Sequence, residues 1–199
     1  GAGGCEPGWD RTMCVTGGAT GRPSGVLGRC GPEVAGLGAI VPPGLGRASA
    51  ASIADTVAIA RDLPATLPLG SIPACPLMHG TGMTLGALIC LLFGGKVALP
   101  EPRKFDAAAL WDLAAREAVT TIAIVGDPFA RPMLDALDAR PRTDLDPLRF
   151  IPSAGAMFSA EMKAGLLRHV PHIPFFAYIP SAAGPLDISS PTPHRLPPP

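Results

Sequence analysis

Between Asp62 and Lys96 the chain carries no Asp, Glu, Lys or Arg. A run of that length without charge must leave water, either for a protein core or for a bilayer. Pro64, Pro68, Pro73 and Pro76 interrupt its first half. The unbroken apolar part, residues 83–93, is shorter than the roughly 20 residues that a membrane span needs. The run therefore predicts an extended segment over 71–78 and a buried helix over 81–93, with no membrane span. Gly94 and Gly95 end that helix, because glycine tolerates the left-handed backbone that a helix terminus needs.

The same alternation continues downstream. Residues 96–99 read as a strand. Asp106 caps a helix over 107–118, whose apolar stripe is Leu110, Leu113, Ala114 and Val119. Residues 120–125 are β-branched and apolar, the composition of a buried strand. Asp127 caps the next helix. Pro128 is tolerated at its first position, and Met133, Leu134 and Leu137 form its buried face. A strand over 148–152, a helix over 160–170 capped by Ser159 with Met162, Leu166, Leu167 and Val170 at helical spacing, and a strand over 174–179 complete the pattern. Strands alternating with helices predict an α/β fold with parallel βαβ units. In such sheets, ligands bind at the carboxyl ends of the strands.

Hydrophobic residues make up 47% of the 199 and charged residues 16%, which places the chain with globular proteins rather than disordered ones. With 16 basic and 16 acidic residues and no basic stripe, nucleic acid is not an expected partner. The five cysteines are widely spaced and contain no C-x-x-C. That pattern fits free thiols in a reducing cytoplasm better than a disulfide framework or a structural metal. Residues 1–11 read as irregular, and the sequence opens without Met or a signal peptide. Residues 185–199 end in three prolines and read either as a disordered tail or as a sequence cut or shifted out of frame.

Four segments carry chemistry. Thr16-Gly17-Gly18-Ala19-Thr20-Gly21-Arg22-Pro23-Ser24-Gly25 follows a short β-like run and concentrates backbone N–H groups and hydroxyls, which suit phosphate. Cys75-Pro76-Leu77-Met78-His79-Gly80-Thr81-Gly82 runs from the end of the extended segment predicted over 71–78 into the next helix. Ser153-Ala154-Gly155-Ala156-Met157 follows another strand, and Tyr178-Ile179-Pro180-Ser181-Ala182-Ala183-Gly184 comes last. In this order the segments resemble the adenylate-forming acyl-CoA synthetases: the phosphate loop T-[SG]-G-[TS]-T-G-x-P-K-G, the acyl-pocket segment P-L-x-H-x-x-G, the adenine-facing S-G-G-A-P/M and the motif Y-G-[ST]-[ST]-E-x-G. Residues 124–132 and 159–163 also read like this family, especially its actinobacterial members. The resemblance spans residues 12–184. It implies a partial AMP-binding domain, incomplete at both ends.

The resemblance assigns roles. Thr16, Gly17, Gly18, Ala19, Thr20, Gly21 and Ser181 would hold phosphate. Gly155, Ala156 and Tyr178 would face adenine, and His79 would line the acyl pocket. ATP or AMP, coenzyme A and a hydrophobic carboxylic acid are the implied ligands, and fatty acid metabolism the implied context. Two positions depart from the family. Ser24 stands where the family has the loop lysine, and Ala182 where it has the glutamate that holds Mg²⁺. Losing one preorganised charge-stabilising group typically costs on the order of 10²–10³ in rate. The mobile C-terminal domain of the family, with its catalytic lysine, does not fit within the tail. The expectation is thus a truncated acid–thiol ligase with no intact catalytic residue, no metal site and residual adenine-nucleotide binding.

Other readings compete. The chain could be a non-catalytic module completed by a partner, or could self-associate through exposed sheet edges. A dinucleotide-binding oxidoreductase is suggested by Gly80, Gly82 and Gly86 with Glu101 farther on, although the last glycine falls one place late. Gly17, Gly18 and Gly21 also suit an ordinary hairpin turn. His79 also reads as a strand-end histidine, Tyr178 as a core aromatic, Asp127 as a helix cap rather than an acid catalyst, and Glu161 as first-turn helix charge.

Overall fold

A computed structural model describes residues 11–16, 24–44, 47–101, 104–173, 175–178 and 188–189. Strands β1 (Arg11–Thr16) and β2 (Ser24–Arg29) pair antiparallel, with Thr16 opposite Ser24. Two helices follow, α1 (Cys30–Gly44) and α2 (Ile53–Thr66). The side chain of Ser52 caps α2 by accepting from the Asp55 N–H. Helix α1 does not stand out in the sequence. Gly31, Gly36, Gly38 and Gly44 punctuate α1, with Pro32, Pro42 and Pro43 among them, and each glycine lowers helix propensity by about 1 kcal/mol.

The sheet begins at β3 (Gly70–Pro73), every residue of which is buried. Helix α3 comes next, π-helical over Thr81–Leu88 and α-helical over Ile89–Leu92. Strand β4 (Lys96–Val97), helix α4 (Ala107–Arg116), strand β5 (Thr121–Ala123) and helix α5 (Asp127–Ala139) follow. Strand β6 (Ile151–Ala154), helix α6 (Ala160–His169), strand β7 (Phe175–Tyr178) and strand β8 (Ile188–Ser189) complete the order. β3 pairs in parallel with β4 on one side and β5 on the other. Parallel bridges at Thr121–Phe150 and Ile124–Ser153 join β5 to β6. β6 pairs in parallel with β7, and β8 adds antiparallel to β7. The spatial order is therefore β4-β3-β5-β6-β7-β8.

The chain leaves β3 toward β4, then crosses back to β5. This reversal makes the carboxyl ends of β3 and β5 a topological switch point, where open α/β sheets form a crevice. Helices cover both faces. Leu110 and Trp111 of α4, Met133 and Leu137 of α5, and Met162 and Leu166 of α6 bury against Ile72, Ile122, Ile124 and Ile151. A second cluster joins Leu63 of α2 to Leu69, Cys90 and Phe93 near α3. Two glycines let α3 approach β3 and the turn that follows it. A Cβ on Gly82 would lie 2.4 Å from the Pro76 carbonyl oxygen, and one on Gly86 would lie 2.6 Å from Pro73 Cβ. Two of the glycines behind the dinucleotide-binding reading therefore serve close packing.

Several sequence expectations need correction. The strands are shorter than expected, because a parallel strand ends where its neighbour stops pairing and not where apolar residues stop. The helix after β3 is π-helical for most of its length, with the Ile89 N–H reaching back to the Thr84 carbonyl. Leu167 is 37% exposed although it lies at helical spacing from buried positions. Asp106 and Ser159 do cap α4 and α6, accepting from Ala109 N–H and Met162 N–H. Asp127 does not cap α5. Its N-cap is Gly126, which makes no side-chain cap bond. Among the described residues, no helix is long and apolar enough to cross a membrane.

Outside the core, Arg142 ties α4 to the segment after α5. It contacts Asp112 and donates from Nε and Nη2 to the two carboxylate oxygens of Asp144, at 2.9 and 2.8 Å. Hydrogen bonds from Arg142, the largest influence, hold both carboxyls below their usual range. The folded-state values are thus depressed relative to the unfolded chain. The stabilisation is complete above the unfolded carboxylate value of about 4 and is lost as pH falls through the folded value. Arg142→Gln is therefore expected to lower the melting temperature at pH 7 and to lose less than the unsubstituted chain between pH 5 and pH 3. Parallel acid profiles for the two proteins would contradict this.

Candidate functional site

Three turns converge at the switch point. After β3, Cys75 is buried while Pro76, Met78 and His79 are exposed. The His79 N–H donates to the Pro76 carbonyl, closing a turn that leads into α3. The Thr81 N–H donates to His79 Nδ1 at 3.2 Å. That bond requires an unprotonated Nδ1, so in the neutral ring the proton sits on Nε2. After β5, Val125 and Gly126 lead into α5. After β6, Gly155, Ala156 and Met157 form an exposed turn.

Between the first two turns lies a cavity of about 400 Å³, lined by Cys75, Pro76, Met78, His79, Val125 and Phe129. Its lining is apolar except for the imidazole and the thiol. Burial raises the Cys75 pKa, with an opposing backbone hydrogen bond, so the thiol stays neutral. Phe105 packs edge-on against Phe129, with ring centroids 4.8 Å apart, and backs this wall. Such a cavity suits an apolar ligand with one polar end.

The third turn is fastened on both sides. Thr81 Oγ1 donates to the Ala154 carbonyl at 3.3 Å. The Gly126 N–H donates to Ser153 Oγ at 2.8 Å, and Ser153 is buried. Gly155 has φ +88°, a conformation that side chains resist. A Cβ there would also stand 3.0 Å from His79 Cε1. Gly126, at φ +56°, is tighter still: its Cβ would meet the Met157 carbonyl oxygen at 2.2 Å.

The structure brings together His79 and Gly155, two of the residues singled out from sequence, with Ala156 beside them. Tyr178, the last residue of β7, pairs in register with Ala154 and so reaches the same end of the sheet. Thr16 ends β1 and Ser24 begins β2. Gly17, Gly18, Ala19, Thr20, Gly21, Ser181 and Ala182 lie outside the described residues. Sequence reasoning missed Thr81, Gly126, Val125 and Phe129. The signals were present without a role attached: Thr81 stands in the segment Pro76 to Gly82 and the other three within residues 124–132, both of which resemble the family, and the Gly-Asp-Pro triplet at 126–128 marks a turn into a helix.

The chain has known relatives. The AMP-binding enzyme family matches residues 10–179. The chain belongs to that family. A medium/long-chain-fatty-acid–CoA/3-oxocholest-4-en-26-oate–CoA ligase of Mycobacterium marinum is 32% identical over 163 residues, covering 82% of this chain. A 3-oxocholest-4-en-26-oate–CoA ligase of Rhodococcus rhodochrous is 33% identical over 168 residues, covering 81%. The chain spans 28% and 29% of the length of these two curated relatives. Among solved structures, the N-terminal subdomain of Klebsiella oxytoca NpsA superposes with a TM-score of 0.60 at 16% identity, covering 85% of this chain and 36% of that one. The long-chain-fatty-acid-CoA ligase FadD1 of Archaeoglobus fulgidus gives 0.59 at 16% identity, covering 92% and 33%. The α/β fold with its parallel sheet is thus that of the N-terminal domains of adenylate-forming enzymes. As an AMP-binding family member, the chain places its His79 and Gly155 turns at the switch-point crevice.

Proposed function

We propose that this chain is the segment of an acyl-CoA ligase that receives a hydrophobic carboxylic acid and an adenine nucleotide, and that its adenylation chemistry is impaired. The observation carrying this reading is the apolar cavity of about 400 Å³ at the switch point, bordered by His79 with Gly155 against its ring. The relatives named above, ligases of fatty and steroid acids, support the apolar half of the site.

The reaction of such ligases has two steps. A carboxylate oxygen attacks the α-phosphorus of ATP, forming an acyl–phosphate bond and releasing pyrophosphate. The thiol of coenzyme A then attacks the acyl carbonyl and releases AMP. Here the open pocket would take the acyl chain along its apolar walls. His79 Nε2–H would donate to an oxygen at the cavity mouth. The backbone at Gly155 and Ala156 would approach the base, and Tyr178 would lie at the neighbouring strand end. Negative charge on the outgoing phosphates calls for a cation, and Ser24 supplies none.

Magnesium prefers carboxylate and phosphate oxygens. The cavity offers an imidazole and a neutral thiol instead, Ala182 has no oxygen in its side chain, and the described residues contain no group of three His, Cys, Asp or Glu suited to a metal. These residues do not fit the ion.

Calorimetric titration with AMP, ATP, NADH and decanoate tests the reading, combined with a pyrophosphate-exchange assay. AMP and decanoate should bind, and exchange should be absent. Binding of NADH alone would overturn the adenylate assignment, and vigorous thioester synthesis would overturn the impairment. A partner-completed module is the second reading. Its support is the exposed apolar row Met83, Leu88 and Leu91 along α3, beside the terminal strand β4.

A further inference from the structure

The side chain of Asp127 is not used by the site as described so far. It opens α5, yet it does not cap that helix. It turns instead to the segment after β6, 32 residues away in sequence. The Asp127 N–H donates to the Met157 carbonyl at 2.8 Å. One carboxylate oxygen of Asp127 accepts from the Ser159 N–H, also at 2.8 Å and partly buried. The preceding Gly126 N–H holds Ser153 Oγ. Residues 126 and 127 thus grip the turn at three points, Ser153, Met157 and Ser159. Thr81 holds it at Ala154 from the other side. Gly155 and Ala156, the two residues left between these fastenings, are exposed at the crevice.

We infer that Asp127 is a positioning residue for the nucleotide, fixing the Gly155–Ala156 backbone in the shape that an adenine ring meets. The inference rests on the adenylate reading above. A carboxylate is the right group for the task. Its bond to a backbone N–H is charge-assisted, stronger than the amide–amide bonds that hold ordinary turns. It also sits beside the N-termini of both α5 and α6, where negative charge is favoured. The cavity walls come from the other two turns and Asp127 does not line them, so its loss bears on the turn first, which touches the cavity only where Gly155 meets His79.

The test compares Asp127→Ala and Asp127→Asn with the unsubstituted chain. AMP affinity, decanoate affinity and hydrogen exchange of the amides of residues 156–159 are measured on each. Asp127→Ala should weaken AMP binding by about tenfold, in line with loss of one charge-assisted bond. It should also speed exchange at those amides and leave decanoate binding intact. Asp127→Asn keeps an acceptor oxygen and should recover most of the AMP affinity. A second pair approaches the same bond from the donor side. Ser159 has φ −67°, the value proline imposes, so Ser159→Pro keeps that φ while replacing the N–H with a ring carbon that displaces the Asp127 carboxylate. Ser159→Ala removes the α6 cap but keeps that N–H. Ser159→Pro should lose AMP affinity well beyond Ser159→Ala.

Unchanged AMP affinity in Asp127→Ala overturns the inference alone. So does equal loss of AMP and decanoate binding, or equal behaviour of the two Ser159 variants. Failure of the unsubstituted chain to bind AMP overturns the adenylate reading and takes this inference with it.

Discussion

Trp111→Ala is expected to cost about 3–5 kcal/mol of folding stability, the range for deleting a large buried aromatic. Domains of this size are typically stable by only about 5–15 kcal/mol, so much of the margin would go. Trp111 is 1% exposed and belongs to the cluster that seats α4, α5 and α6 on the sheet. Its indole Nε1–H donates to the Met133 carbonyl at 2.9 Å, tying α4 to α5. Trp111→Phe keeps most of the apolar volume and loses the donor, so it should cost only about 1–2 kcal/mol. Urea unfolding followed by far-ultraviolet circular dichroism measures both variants without relying on tryptophan emission. An alanine variant within experimental error of the parent would refute the assignment, and a phenylalanine variant as unstable as alanine would show that volume is not the main term.

The helices legible in sequence are those whose signals are local. Asp106 and Ser159 precede their helices by one residue, and each accepts from an N–H three residues on. Leu110, Met133 and Leu166 recur at helical spacing and are buried as that spacing implies. Asp127 shows where local reading stops. Its position before a proline is that of a cap, but its partner Ser159 belongs to another βα unit, and nothing near residue 127 points to it. The π-helical form of Thr81–Leu88 is hidden for a related reason. One extra residue per turn does not change which residues are apolar, and Gly82 and Gly86 are explained only once β3 lies beneath them. Helix α1 is hidden by its own glycines and prolines, whereas α2 has no glycine and only Pro64 near its end, and its Ser52 cap is a local signal. Contact with β2, with α2 and with the Leu63 cluster overrides weak propensity in α1. For the site, the sequence pointed to His79 and Gly155 separately. Only the strand order, which places β3 and β6 on either side of β5, puts one against the other.

The largest functional effect is expected from Ser24→Lys. By family resemblance this position carries the lysine that meets the outgoing phosphates, and here it is the first residue of β2, paired with Thr16 at the base of the loop. A hydrogen bond to a charged group contributes about 1.5–3 kcal/mol, which corresponds to roughly 10- to 100-fold in affinity. The substitution should therefore tighten ATP binding by that factor. AMP should gain little, because it lacks the β- and γ-phosphates that the lysine would meet. The contrast matters more than either affinity: a cation placed at random on the surface would help every anion modestly and would fade with salt. Titrations of ATP and AMP at low and moderate ionic strength separate the two cases. Equal gains for both nucleotides would mean that residue 24 does not face the triphosphate, and the phosphate-loop reading of residues 16–25 would fall. A selective gain for ATP, still without pyrophosphate exchange, would leave Ala182 and the family's C-terminal catalytic lysine as the outstanding deficits. Adding Ala182→Glu to Ser24→Lys would then be the step expected to admit magnesium, read as a further gain in ATP affinity when magnesium is added.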